Sequence, residues 1–416
     1  MKNNLDVLVI GGGAIGICSA HYLSEQGLRI TVLEQSDVAS GCSEGNGGLI
    51  VPSACIPMAE PGVFRHALKW MLNPGSPFYI KPRFDPTLFY WLRRFRTACK
   101  TKNMHKGLRA LSDLNSAGLG LFDQLISQES LACHYRKDGW LRVYRSDKGY
   151  REALEKTHLL ESHGVKLKAL NLNETLEMAP QLKPGISGGI FFPDDAHLDP
   201  ARFIKELAKR LIERGVDIQT HAEVLKFETS GSLVSRVQST HGDFYPNQVV
   251  LATGAWTSRL VRNLGVNLPV QPAKGYSISI KKPEESPDIP LYLNEAKVVV
   301  TPLEKVLRLA GTLELSGMDF KINLCRVDAI MQASKKYLRL DHGLDIVETW
   351  RGLRPCSPDG LPIIDYAPGY KNLILATGHG MLGMTLAPGT GRLVSQIICE
   401  QSPEVNLTPF SSNRFN

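Results

Sequence analysis

Asp6-Val7-Leu8-Val9-Ile10-Gly11-Gly12-Gly13-Ala14-Ile15-Gly16 opens the chain with an apolar run that ends abruptly in glycine. The apolar residues read as a buried strand, the glycines as a turn, and the pattern over 15–26 as a helix. A second strand over 29–34 completes a strand–turn–helix–strand unit, and its last residue, Glu34, is acidic. Each part has a physical task. Gly11 permits the tight turn, Gly13 lets the backbone approach a pyrophosphate, and Gly16 lets helix and strand pack closely. The helix N-terminus offers unpaired N–H groups and a partial positive charge. Glu34, with Gln35 beside it, suits ribose hydroxyls and repels a 2′-phosphate. The stretch is a dinucleotide site, with Gly11, Gly13, Ala14, Ile15, Gly16, Glu34 and Gln35 as its contacts.

The rest of the chain bounds the answer. At 416 residues it exceeds the roughly 250–300 at which one core stops growing, so two domains sharing a cleft are expected. Hydrophobic residues make up 43% and charged residues 21%, an ordinary globular balance. The net charge of +7 is mild, and the basic residues are dispersed, so nucleic acid is not expected as a partner. Eight cysteines form no CxxC pair and no metal-ligand spacing, and read as reduced thiols of a cytoplasmic protein. No apolar run reaches the roughly 18 residues that span a bilayer.

Beyond the opening unit, a Gly/Ser/Pro-rich loop covers 39–62, and a loop of that length is normally functional. A basic, aromatic patch over 70–106 contains Phe89-Tyr90-Trp91-Leu92-Arg93-Arg94-Phe95-Arg96. Helical periodicity continues over 108–128, and 140–144 alternates like a strand. Asp199-Pro200 starts an amphipathic helix (Phe203, Leu207, Leu211) closed by Gly215. Strand patterns follow at 216–220, 222–228 and 248–252, and strand alternation dominates 268–315. The end of the chain returns to strand, glycine turn and helix. The expected fold is α/β: a Rossmann-like domain assembled from 1–85, 151–265 and 346–416. A mostly antiparallel β domain for the substrate is inserted as 86–150 and 266–345.

Three separated glycine turns decide which dinucleotide fits. The loop Ser40-Gly41-Cys42-Ser43-Glu44-Gly45-Asn46-Gly47-Gly48 can lie along a pyrophosphate and a flavin ring. Ala252-Thr253-Gly254-Ala255-Trp256 follows a buried strand, and Ala376-Thr377-Gly378-His379-Gly380-Met381-Leu382-Gly383 precedes the last helix. One ligand touched by such distant segments suits a permanently held FAD better than a shuttling NAD. Ser43, Asn46, Gly47, Gly48, Val224, Thr253, Gly254, Trp256, Gly378, Gly380, Met381, Leu382 and Gly383 join the expected FAD contacts.

These residues resemble the D-amino-acid oxidase superfamily, and within it the bacterial D-amino acid dehydrogenases with their D-hydroxyproline dehydrogenase branch. The likeness rests on the 9–16 opening, Pro61-Gly62, Leu68-Lys69-Trp70-Met71 and Pro272-Ala273-Lys274-Gly275-Tyr276-Ser277. It rests also on Trp350-Arg351-Gly352-Leu353-Arg354-Pro355-Cys356-Ser357-Pro358-Asp359-Gly360 and on Thr377-Gly378-His379-Gly380 with Gly383. The resemblance implies oxidative deamination of a small D-amino acid, D-proline and its hydroxylated form included. Hydride would pass from Cα to flavin N5 and electrons on to a quinone or other respiratory-chain acceptor. It implies that Arg354 holds the substrate carboxylate, as a guanidinium fork suits. Tyr276 reads equally as a substrate contact or a core aromatic, and His379 as a substrate or flavin contact or a histidine satisfied by backbone. Lys274 carries no assignment. Cys356 reads as a buried thiol with FAD held non-covalently. The 89–96 patch reads either as a helix with an aromatic core face or as a peripheral attachment to the inner face of the plasma membrane. Alternatives on the same chemistry are a glycine/sarcosine-type oxidase using oxygen and a tRNA-modifying flavoprotein oxidase.

Overall fold

The computed structural model describes residues 5–63, 76–340 and 344–415. The Leu68–Met71 match lies outside them. Among the described residues, the nucleotide-binding half is a six-stranded sheet in the order 363–366, 373–377, 246–251, 5–10, 30–33, 217–219. Strand Leu5–Ile10 lies parallel to Ile30–Leu33 on one side and Pro246–Leu251 on the other. Val7 and Val9 pack against helices on one face, and Leu8 and Ile10 against a three-stranded antiparallel sheet over 224–244 on the other, so all four are buried and apolar. Helix Ala14–Ser24 packs on helix Ala387–Ile398 so closely that a Cβ on Gly391 would stand 2.6 Å from the backbone of Cys18. The last helix starts at Ala387, after the glycine turn, with Pro388 in its first turn, where the missing N–H is tolerated.

The second sheet runs 346–356, 271–281, 306–315, 298–302, 291–293, 140–144, 188–192, 168–170, with 78–80 added beside 306–315. Its pairings are antiparallel except 291–293 with 140–144 and 78–80 with 306–315. Alternation sorts strand Gln271–Lys281 into two faces. Tyr276, Ile278 and Ile280 share a core with Val327, Ile330 and Met331 of helix Leu324–Tyr337. Ala273, Gly275, Ser277 and Ser279 point the other way, opposite Arg354, Gly352, Trp350 and Glu348.

Sheet membership departs from the expected boundaries. Strands Lys168–Leu170 and Gly188–Phe192, expected in the second nucleotide segment, belong to the larger sheet. Strand Ile346–Cys356, expected in the third, does too, because it pairs with Gln271–Lys281 from Gln271 to Ile280. That long-range ladder leaves no local signature.

Helix Pro86–Ala98 is capped by Asp85, whose carboxylate accepts from the N–H groups of Thr87 and Leu88. It buries Leu88, Trp91 and Phe95 and leaves Phe89, Arg93 and Arg96 in water. Helix Thr101–Glu129 follows and contains the expected 108–128 segment. All eight cysteines are free thiols. Among the described residues no helix is long and apolar enough to cross a membrane.

Candidate functional site

Between the two sheets runs a cleft of about 430 Å³. Its walls come from the segments that sequence alone nominated: Gly11, Gly13, Ala14, Ile15, Glu34 and Gln35; Ser43 and Asn46; Val224; Thr253, Gly254 and Trp256; His379, Gly380 and Gly383. The turn itself explains its glycines. Gly11 holds φ +111°, a left-handed conformation, and a Cβ on Gly16 would sit 1.8 Å from the Gly11 carbonyl oxygen. No side chain caps the helix that starts at Ala14; only Ser43 Oγ lies near, accepting from Ala14 N–H at 3.3 Å. Glu34 Oε2 accepts from Gly12 N–H at 2.7 Å and Oε1 from Ser36 N–H at 3.0 Å. The acid thus braces the turn and faces the cleft. An uncapped helix end, a glycine cradle and a carboxylate at the second strand fit the pyrophosphate and ribose of FAD.

Other expected contacts stand behind or beside the cleft. Gly16 lies under the turn, and Gly378 holds a left-handed turn at φ +80°. Gly47 and Gly48 press on protein: a Cβ would meet Val299 at 3.6 Å and the Leu198 carbonyl at 2.4 Å, respectively. Leu382 packs against the larger core, and Met381 is 56% exposed at the rim. Gly41, Cys42, Leu353, Pro355, Ala376 and Met384 also line the cleft. Of these, Gly41, Cys42 and Ala376 lie in the glycine-rich segments nominated from sequence, and Leu353 and Pro355 flank Arg354.

The 43–48 loop is fastened to the larger sheet by residues that sequence reading missed. Arg308 donates to the Glu44 and Asn46 carbonyls at 3.1 and 3.0 Å, and Thr301 Oγ1 donates to the Gly47 carbonyl at 2.6 Å. The Trp350 ring occupies the space where a Cβ on Gly45 or Gly352 would stand. Their signal was alternation: in register they face the same side as Ser277 and Ser279.

Arg354 sits where cleft and sheet meet, between two cleft-lining residues, Leu353 and Pro355. Its guanidinium lies over Gly275, 2.0 Å from where a Cβ would be, and Nη1 donates to the Thr312 carbonyl at 2.6 Å. Thr312 holds φ +64° to present that carbonyl. Arg354 is half-buried and, among the described residues, has no carboxylate within ion-pair distance.

The other two expected site side chains differ: Tyr276 turns away from the cleft, and His379 lines it. Tyr276 is buried on the helix-covered face and donates its hydroxyl to Glu314 Oε2 at 2.9 Å. Glu314 also binds Lys274 at 3.5 Å and Arg326 at 3.3 Å, and Lys274 reaches Asp319 at 3.1 Å. This cluster balances its own buried charge. His379 lines the cleft, but its Nε2 lies 3.0 Å from Thr390 Oγ1, and burial pushes its pKa down to about 3. It is a neutral imidazole. Cys42 and Cys356 are thiols rather than thiolates, pushed up to about 11 and about 12 by burial.

A Rossmann-type sheet, a three-segment dinucleotide cleft and an antiparallel sheet closing over it define a two-domain flavin-dependent oxidoreductase. The chain belongs to the DAO family of FAD-dependent oxidoreductases, whose model matches residues 6–397. It is 31% identical to a D-amino acid dehydrogenase of Bradyrhizobium diazoefficiens, covering 99% of both chains. It is 30% identical to another from Granulibacter bethesdensis, over 98% of this chain and 99% of that one. Among solved structures it resembles glycine oxidase from Geobacillus kaustophilus, with TM-score 0.78, 21% identity and 98% of each chain covered. It equally resembles L-proline dehydrogenase from P. horikoshii, with TM-score 0.78, 18% identity and coverage of 100% and 98%.

Proposed function

We propose that the protein oxidises a small D-amino acid at the carbon bearing the amine, releasing an imino acid that water converts to a 2-oxo acid and ammonia. D-Proline and its hydroxylated form fall in this class and would give a cyclic imine. The observation that carries the reading is Arg354: a half-buried guanidinium beside the dinucleotide cleft with no acidic partner among the described residues. Its Nη1 bond to the Thr312 carbonyl holds the group in place and leaves other N–H donors for a carboxylate, so it anchors the carboxylate end of the substrate beside the cleft. FAD, when bound, supplies the acceptor for the hydride and its two electrons. The neutral His379 adds no charge near the reacting amine, which must itself be neutral to donate its lone pair.

The electron acceptor in this reading is a quinone-type molecule, in line with the dehydrogenase naming of the relatives. In the same reading the protein sits peripherally on the membrane, and the surface composition supports that position. Phe84 and Phe89 are exposed, as are Met318, Phe320, Ile322 and Leu324. The two segments are neighbours, since Lys81 N–H donates to the Leu315 carbonyl and Arg83 Nη1 does so at 2.7 Å. Exposed Lys81, Arg93, Arg96 and Lys321 flank the apolar side chains, the composition that suits an anionic bilayer surface.

The test is steady-state turnover of the holoenzyme on paired D- and L-amino acids, glycine, and D- and L-proline, with a phenazine or soluble quinone acceptor and then with oxygen alone. D-selective turnover with dye and little peroxide in air is the expected result. Preference for glycine with rapid peroxide release would replace the reading with an oxidase, and L-selectivity would remove it.

A further inference from the structure

The sheet face that carries Arg354 carries two more cations on its far side. In register, Trp350, Ser277, Ala310, Val299, Tyr292 and Arg142 form one row across the sheet. Gly47 lies directly over the middle of that row, because its Cβ would meet Val299 at 3.6 Å and Ala310 at 3.8 Å. Two residues from Val299, toward the Arg354 end, stands Lys297. This face is therefore the floor beside the flavin loop, with Arg354 at one side and Arg142 and Lys297 at the other.

Neither distal cation has an acidic partner among the described residues. The Arg142 guanidinium is boxed by Trp140 and Phe192, each 5.0 Å from its centre, and by Tyr292 at 5.9 Å, while its Nε is buried without a hydrogen-bond partner. Lys297 Nζ lies 5.8 Å from the same Tyr292 ring. Its backbone holds φ +54°, which a lysine adopts only where the surroundings impose it. Nearby acids are already engaged: Glu60 with Lys156 at 2.6 Å, Glu295 with the Tyr337 hydroxyl at 2.6 Å, and Asp195 with Ser53 N–H at 3.1 Å. Arg142 feels the charge of Asp195 and hydrogen-bonds Tyr144, and Lys297 feels Glu60 and Glu295, but neither cation makes a close ion pair among the described residues, which leaves both able to take an anion from outside.

We propose that Arg142 and Lys297 form the distal end of the substrate cavity and take the side-chain carboxylate of an acidic amino acid. This rests on the reading that Arg354 holds the α-carboxylate. For Lys297 the spacing agrees: its strand and that of Arg354 stand three ladder steps apart, about 14 Å, with the strand of Arg142 two steps farther out. Arg354 reaches back across two strands to Thr312, leaving roughly 5–10 Å, the span of a four- or five-carbon dicarboxylate.

The experiment compares kcat/KM of the holoenzyme for D-aspartate and D-glutamate with that for D-alanine and D-proline, in the wild type and in Arg142→Gln and Lys297→Gln. In parallel, glutarate and butyrate are titrated against the resting enzyme and binding is read from the flavin absorbance. The wild type is expected to favour acidic substrates, and glutarate over butyrate, by about tenfold or more. Each variant should lose about tenfold on the dicarboxylates, with D-alanine changed less than about threefold. If Arg142→Gln fails to fold, Lys297→Gln on its half-exposed turn carries the test. Equal losses on every substrate, or a wild type that binds butyrate as well as glutarate, overturns the distal site while leaving D-alanine turnover and the Arg354 reading intact. Failure of every D-amino acid would instead remove the reading beneath it.

Discussion

At the residue scale, Arg354 and Tyr276 were nominated from neighbouring motifs and separated by a single geometric fact. Alternation places Tyr276 with Ile278 and Ile280 under helix Leu324–Tyr337, whereas Arg354 shares the opposite face with Gly275 and Ser277. The sorting was legible in principle, since Ser277 and Ser279 alternate with those apolar residues, but only the ladder says which face meets the cleft. Replacing Arg354 with alanine should therefore cost roughly 2–5 kcal/mol in kcat/KM for the amino acid substrate, with flavin content unchanged. Arg354→Lys should recover only part, because a point charge lacks the fork. Near-normal turnover of Arg354→Ala at low substrate would take the residue out of the site. Asp195 makes a second, independent case. Burial raises its carboxyl to about 7 despite hydrogen bonds from Ser53, so the folded state binds the proton more tightly than the unfolded chain does. The sign follows: Asp195 lowers stability progressively as pH rises from the ordinary carboxylate range through 7, and the full cost applies above that. Melting temperatures of wild type and Asp195→Asn, measured from pH 5 to 8, should diverge in favour of the variant at the alkaline end. Parallel curves would show that Asp195 titrates normally.

At the element scale, the glycine turn was the most legible part of the molecule because its requirements are local. Strand, left-handed Gly11, close-packed Gly16 and terminal Glu34 all follow from a few ångströms of backbone geometry. Gly16→Ala tests that geometry. The added methyl collides with the Gly11 carbonyl, so the turn must open and the helix must move off the strand. Purified Gly16→Ala should be colourless or nearly so and melt several degrees lower, with excess FAD restoring little of either. A yellow variant with normal flavin stoichiometry would mean the turn has slack that the structure does not suggest. The 43–48 loop was harder. Its small residues announced close packing, but its anchors, Arg308, Thr301 and Trp350, lie more than 250 residues away in sequence and belong to strands whose partners no local pattern reveals.

At the scale of the whole molecule, the two-sheet plan was legible, but the crossings between sheets were not. The chain leaves the larger sheet after Phe192 and again after Cys356, and both crossings depend on pairings formed across long sequence separations. The same assembly joins two segments that sequence kept apart, the exposed apolar residues of 84–89 and of 318–324. Each alone is an ordinary scatter of surface hydrophobics; the contacts of Lys81 and Arg83 with Leu315 bring the two segments side by side, with exposed Lys81, Arg93, Arg96 and Lys321 in the same stretches. Insertion of Phe84, Phe89 and Leu324, the most exposed of these side chains, at a bilayer interface, helped by about 1 kcal/mol per basic residue, is enough for reversible binding to anionic lipid. The holoenzyme should therefore sediment with vesicles containing phosphatidylglycerol, bind neutral phosphatidylcholine vesicles weakly, and release in high salt. Phe89→Ser with Leu324→Ser should abolish sedimentation while leaving turnover with a soluble dye unchanged, since neither side chain lines the cleft. Sedimentation that survives this double substitution would place the attachment elsewhere on the surface. Loss of dye turnover together with binding would mean that these residues support the fold rather than the interface.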